Sequence, residues 1–283
     1  MINNISVVVL TKNEDAGIGV TLSKLVGFRD VVVVDSQSTD RTLEICRQHG
    51  VRIVNFEWDG AYPKKKQWSL ENAGVENKWV LLLDADEYPT SELMTELDLL
   101  SKSPILEDHG AFDINLLYKF SGKFLKHGHR VTKRSLVNRE VTRFPEVNDL
   151  SAPGIREVEG HYQPETKSSV GVLRSKIIHD DRDPVSSWFD RHNRYSGWEA
   201  HLRMSKNLRQ RVASARTSKG KLFDSLPFKP LIFFIYSFFI RLGFLDGRAG
   251  FDYAFALSSY YWQISLKVRE LQRDADSLGR TES

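Results

Sequence analysis

The chain has 283 residues, of which 41% are hydrophobic, 27% charged and 11% aromatic, with a formal net charge of +3. That balance excludes a disordered chain and argues against a general nucleic-acid binder, which carries a much larger basic excess. A single cysteine, Cys46, excludes an internal disulfide framework and suits a reducing compartment.

The chain opens MINNISVVVLTKNE, with no basic leader and only a short apolar run, so it reads as a strand and not a signal peptide. ISVVVLT is an unbroken apolar run of strand length, followed by the polar turn KNED and a helical pattern from about Ala16 to Val26. DVVVVDS is a second run of the same kind. Ser38 or Thr39 is placed to cap the next helix, RTLEICRQHG, which Gly50 ends and in which Cys46 is buried filler. VRIVNF is a third short strand, a helix runs from about Lys65 to Gly74, and WVLLLDADEY forms the fourth strand. Continuous Val/Ile/Leu strands separated by helices predict a doubly wound α/β, mostly parallel sheet with helices on both faces.

Ligands of such sheets bind beyond the carboxyl ends of the strands, where TKNE, DSQSTD and DADE all fall. Asp84 and Asp86 lie on one side of an extended chain while Ala85 points away, and Glu87 adds a third acid. Like charges so close need compensation. Carboxylate oxygens suit a hard divalent cation, Mg²⁺ or Mn²⁺, which would neutralise a departing diphosphate.

From about Ser103 to His179 the pattern is mixed and predicts an α+β portion completing the sheet. DPVSSWFDRHNRYSGWEAHLRM reads as a helix with Pro184 in its first turn, and Trp188, Arg191 and Tyr195 share one face. Between Arg203 and Lys221 there are seven Lys or Arg and no Asp or Glu. An apolar stretch between Lys229 and Arg241 follows, about ten residues long, half of what a bilayer span needs. Leu257, Tyr261, Ile264, Val268 and Leu271 then recur at helical spacing. The three together predict peripheral attachment to an anionic membrane, with internal or dimer packing as the plain alternative.

The segments VVVLTKNE (7–14), VVVVDSQSTDRT (31–42), KKKQWSLENA (64–73) and LLLDADEY (81–88) together resemble a family 2 glycosyltransferase of the GT-A fold, an inverting nucleotide-sugar enzyme. LDGRAGFDYAF (245–255) is similar to the subgroup of lipopolysaccharide core β-1,4-glucosyltransferases. The resemblance implies a catalytic domain over 1–200, split into a nucleotide-sugar half (1–100) and an acceptor half (101–200), and a helical extension over 201–283. It implies a UDP-linked donor held by Thr11, Asn13, Glu14, Asp35, Ser36, Lys66, Asp84 and Asp86, and a metal held by Asp84, Asp86 and His179. Lys66 and Gln67 stand where the family has Arg and Asn, and Lys64 or Lys65 would serve equally. A single displacement needs one general base. IREVEGHYQP puts Glu159 at the family position, with Glu157 and then Asp149 next, and Val158 where His is common. The implied acceptor is a glycolipid or lipopolysaccharide core, and the implied location the cytoplasmic face of the inner membrane. Oligomeric state, including a homo-oligomer, stays open. Two other readings remain at this stage. A nucleotidyltransferase would want a Gly-rich basic loop that LTKNEDAG lacks, and a non-catalytic sugar-nucleotide-binding protein would fit the departures at Lys66, Gln67 and Val158.

Overall fold

The computed structural model describes residues 1–147, 149–152, 154–159, 162–205 and 228–281. The chain divides into two compact units: Met1–Phe124, Arg130–Glu146 and Glu157–Arg182 form the first, and Leu125–His129, Val147–Arg156 and Asp183–Ser283 the second.

In the first unit β1 (Ile2–Thr11), α1 (Ile18–Ser23), β2 (Phe28–Asp35), α2 (Thr42–Gln48), β3 (Arg52–Asn55), α3 (Lys65–Asn72) and β4 (Trp79–Asp84) follow in turn. β5 (Glu87–Pro89), α4 (Ser91–Ser101), β6 (His109–Phe120), β7 (Lys123–Phe124), β8 (Thr132–Asn138), β9 (Thr142–Arg143), β10 (Glu165–Thr166) and β11 (Ser169–His179) complete it. The main sheet runs β3-β2-β1-β4-β8-β6-β11-β5, with β7 beside β6. The first four strands of that order are parallel, β8 runs antiparallel to both its neighbours, and β11 is parallel to β6. Val7, Val8, Val9, Val33, Leu81 and Leu83 are fully buried, which is why these strands are apolar throughout and do not alternate.

Helix α1 is shorter than the pattern from Ala16 to Val26. The Leu25 N–H bonds the Leu22 carbonyl and the Phe28 N–H the Leu25 carbonyl, so the chain turns early into β2. The start of α2 also differs from expectation. Ser38 and Thr39 are occupied elsewhere, and Asp40 Oδ1 accepts the Thr42 N–H at 3.0 Å. Gly50 sits at φ +66° beyond the helix end, a conformation that favours glycine. Cys46 is buried and burial pushes its thiol up to about 11, so it is inert filler.

The second unit contains α5 (Val185–Met204), α6 (Lys229–Phe234), a π-helical continuation over Ile235–Ile240, and α7 (Gly247–Thr281). Pro184 occupies the cap position of α5 and not its first turn. Helix α5 packs on α7, and the Lys267 ammonium donates to the Asn193 carbonyl at 2.6 Å. Residues 125–129 are pinned here by His127 on Asp246 and by the His129 N–H on Ser237 Oγ. From residue 206 onward, the basic run that ends at Lys221 lies outside the described residues.

At the amino ends of the strands one buried carboxylate ties four segments together. Asp30 accepts from Ser6 Oγ (2.5 Å), Arg52 Nη2 (3.0 Å) and the Glu76 N–H (2.8 Å). Asp30→Ala should therefore cost about 1–3 kcal/mol in urea unfolding, because it leaves the Glu76 N–H and the Ser6 hydroxyl without their acceptor, while Arg52 keeps solvent and the Gly74 carbonyl. Arg29→Ala removes only the exposed Arg29–Glu76 pair at 3.8 Å and should cost about 0–1 kcal/mol.

Candidate active site

The site is built where β1, β2, β4 and β11 end. Thr11 lies opposite Asp35 in the β1/β2 register, and its carbonyl accepts the Ser36 N–H (3.1 Å) and the Lys65 ammonium (2.6 Å). The hydroxyls of Thr11 and Ser36 are buried and have no hydrogen-bond partner. Two such orphans on adjacent strand tips mark a place where a ligand's polar edge is expected. Asp35 does not project free. Its Oδ1 accepts from Ser38 Oγ (2.5 Å) and its Oδ2 from the Ser38 N–H (2.9 Å). Asn13, at φ 55°, accepts the Thr39 N–H on Oδ1 at 2.8 Å, while its own N–H bonds Ser38 Oγ. Asn tolerates this left-handed backbone better than most residues. The Glu14 N–H bonds Thr42 Oγ1 at 2.8 Å. TKNE and DSQSTD are thus wired to each other, and the wiring leaves Thr11 and Ser36 with unused hydroxyls.

Two side chains from distant parts of the sequence meet the acids at the end of β4, the Lys133 ammonium and the His179 imidazole. Lys133 Nζ lies 2.8 Å from Asp84 Oδ2 and 2.5 Å from Glu87 Oε2. Burial opposes ionisation of Asp84, but Lys133, with Lys66 and His179, outweighs it and holds the carboxyl well below its usual range. Glu87 also accepts the Asp84 N–H at 3.0 Å. The compensation expected from a metal alone is therefore supplied at Asp84 and Glu87 by an ammonium. Sequence reading missed Lys133. Continuing the antiparallel register Leu81↔Leu136 sets it across from Asp84, but that register is visible only once β4 and β8 are paired.

Asp86 is treated differently. Its backbone is fixed from both sides, by Thr21 Oγ1 on the Ala85 carbonyl (2.6 Å) and by the Asp180 N–H on its own carbonyl (2.9 Å). The antiparallel pairing of β5 with β11 puts His179 opposite Glu87 and brings His179 Nδ1 to 3.1 Å from Asp86 Oδ2. The Nδ1 atom is buried and makes no hydrogen bond despite that approach. The imidazole also lies 4.6 Å, centroid to centroid, from the Tyr118 ring. Burial pushes the Asp86 carboxyl up to about 6, and His179 offsets only part of that effect.

Helix α3 supplies the remaining charges. Lys64 and Lys65 are buried and Lys66 is half-buried, within electrostatic reach of Asp84. Glu159 is buried too, and its carboxylate accepts the Lys66 N–H (2.7 Å) and the Gln67 N–H (2.8 Å), capping the start of α3 from a distance. Desolvation raises its pKa against those two bonds and Lys66. Glu157 faces Lys12 at 3.3 Å and Lys65 at 4.0 Å. In the second unit Asp149 accepts the Trp198 indole N–H at 2.9 Å, Trp188 stacks on His192, and Arg191 pairs with Asp183. Among the described residues no three His, Cys, Asp or Glu side chains converge as a ready metal cage. The structure brings Asp86 and His179 together and turns Asp84 toward Lys133.

Residues 6–98 match the family described as glycosyl transferase family 2. The chain carries a family 2 glycosyltransferase domain. An uncharacterised glycosyltransferase of Rickettsia typhi is 26% identical over 94% of this chain and 87% of its own length. The lipopolysaccharide core biosynthesis glycosyltransferase LpsC of Rhizobium meliloti is 23% identical over 96% of this chain and 97% of its own. Among solved structures, the mannosyltransferase PcManGT of Pyrobaculum calidifontis, in complex with GDP-Man and Mn²⁺, superposes with a TM-score of 0.50 at 14% identity. The match covers 94% of this chain and 86% of that one and shows a shared GT-A fold.

Two outcomes follow for this glycosyltransferase. Lys133→Met leaves Asp84 and Glu87 facing each other uncompensated and should cost about 3 kcal/mol in urea unfolding, with Lys133→Arg recovering part of the loss. Burial pushes the Lys65 ammonium down from 10.5 to about 8, against the pull of Glu157 and Asp35. Between those values the unfolded chain holds that proton more firmly than the folded one, so this residue makes the fold more stable as pH rises through the window. Urea midpoints of the wild type should climb relative to those of Lys65→Met from about pH 8 to 10.5.

Proposed function

We propose that the protein transfers a sugar, with inversion at the transferred carbon, from a nucleoside-diphosphate sugar to a glycolipid or lipopolysaccharide-core acceptor. UDP is the favoured nucleotide. The observation that carries the reading is the Asp86–His179 pair, a half-buried carboxylate and a buried imidazole nitrogen 3.1 Å apart with no hydrogen bond on the nitrogen. Two ligands of one octahedral ion, each about 2.1 Å from it, stand roughly 3.0 Å apart, so the pair fits adjacent positions on a divalent cation. Asp86 and His179 would hold Mg²⁺ or Mn²⁺, with Asp84, released from Lys133, as the further ligand. When bound, such an ion neutralises the charge developing on a departing nucleoside diphosphate. The Mn²⁺ held by PcManGT and the name of LpsC support the metal and the acceptor class.

The chain's own groups then take these parts. The free hydroxyls of Thr11 and Ser36 meet the nucleoside, and Asp35, Asn13 and Glu14 hold the loops around it. Lys66 faces the diphosphate. Glu159 takes the proton of the attacking hydroxyl through the lone pairs left by its two backbone bonds, and burial has already moved its pKa toward the range a base needs.

Calorimetry with UDP should show binding that weakens about 10–100-fold without Mn²⁺ and equally in Asp86→Ala or His179→Ala. Binding as tight without any cation would sink the metal role. Glu159→Gln keeps one oxygen to accept one of the two α3 N–H groups and gives up the other cap bond; UDP calorimetry should still show donor binding while turnover drops about 10²–10⁴-fold. Normal turnover would move the base to Glu157.

A further inference from the structure

The second unit exposes apolar side chains that its own packing does not use. On α7 the buried face carries Tyr253, Tyr260 and Ile264. Another face carries Phe251, Phe255, Trp262 and Leu266, at intervals of four, seven and four residues, which places all four within one narrow arc of the helix. Phe255 is 57% exposed and Trp262 53%. The preceding arm adds Leu231, Ile235 and Phe239, again at intervals of four, with Leu231 60% and Phe239 54% exposed. Phe234 joins the two arms, its ring 5.7 Å from Phe251 and 6.4 Å from Phe255, and Ser258 Oγ on the Pro230 carbonyl (2.6 Å) ties them again. Soluble monomers rarely leave such a contiguous patch open without a partner.

We infer that this face seats on an anionic phospholipid surface, lying in the headgroup–acyl boundary without crossing the bilayer. No single described helix is long and apolar enough to cross; the two arms reach that length and apolarity only together, across a 71° bend, and that bend suits a shallow wedge. Trp262 and Tyr236 bring the amphipathic rings that favour the interface, with Tyr236 40% exposed. Charge favours lipid over a second copy of the chain. The sequence from Arg203 to Lys221 holds seven basic residues and no acid, shortly before the patch begins. A dimer would add a second such basic run with nothing to neutralise either, whereas anionic headgroups neutralise the charge. The inference rests on the second unit alone and stands apart from the donor chemistry.

The test is sedimentation of the full-length protein with vesicles of phosphatidylcholine alone or mixed with phosphatidylglycerol. The wild type should bind the mixed vesicles at least about tenfold more tightly than the neutral ones, and the double variant Phe239→Ser/Phe255→Ser should lose about tenfold on the mixed vesicles. UDP calorimetry on the same variant should be unchanged, which separates loss of the face from loss of the fold or of the donor site. Brominated lipids should also quench a component of the fluorescence that disappears in Trp262→Phe. Equal binding by the wild type and the double variant, or no binding at all, overturns the inference. So does a light-scattering mass showing a dimer without vesicles that the double variant abolishes.

Discussion

Three carboxylates within four residues at the end of a buried strand are the constraint around which the first unit is organised. Coulomb repulsion at that spacing, in a partly dry setting, disfavours the fold unless cations answer it. Lys133 answers it for Asp84 and Glu87, and His179 stands against Asp86. Both side chains arrive through the sheet: Lys133 across the antiparallel β4/β8 pairing and His179 through β11 and its short partner β5. The unusual order, with an antiparallel strand beside the central parallel ones, is what delivers charge to those tips.

The acids are consequently not equivalent. Asp84 is held ionised by a neighbouring ammonium, whereas burial makes Asp86 reluctant to ionise. Two aspartates separated by one alanine thus acquire different chemistry from different surroundings. Asp84 is set up as a fixed negative charge and Asp86 as a group awaiting a positive one.

Much of this was legible in the sequence because the signals were local. Unbroken Val and Leu runs give strands buried on both faces, and their polar ends give the site's location. The acids and the TKNE and DSQSTD turns are read directly. What could not be read was non-local. Lys133 looks like any lysine near a strand start until β8 is laid against β4. Glu159 reads as a loop acid until α3 is found to lack a side-chain cap of its own. The assignment of Ser38 or Thr39 to the α2 cap failed for a related reason, since Asp35 and Asn13 bind those residues first. The exposed aromatic stripe on α7 is invisible to periodicity alone, because a helix with apolar residues on two faces does not say which one the core takes.

The reach of the Asp86–His179 pairing has a consequence for how the molecule comes into being. The segment that carries the family signature ends at residue 98, before Lys133 or His179 has been reached along the chain. A nascent polypeptide that long holds these acids with Lys66 nearby but without the direct contacts of Lys133 and His179. The acidic tip of β4 is thus completed only by long-range pairing, and a fragment that stops short of β11 leaves Asp86 without its imidazole neighbour.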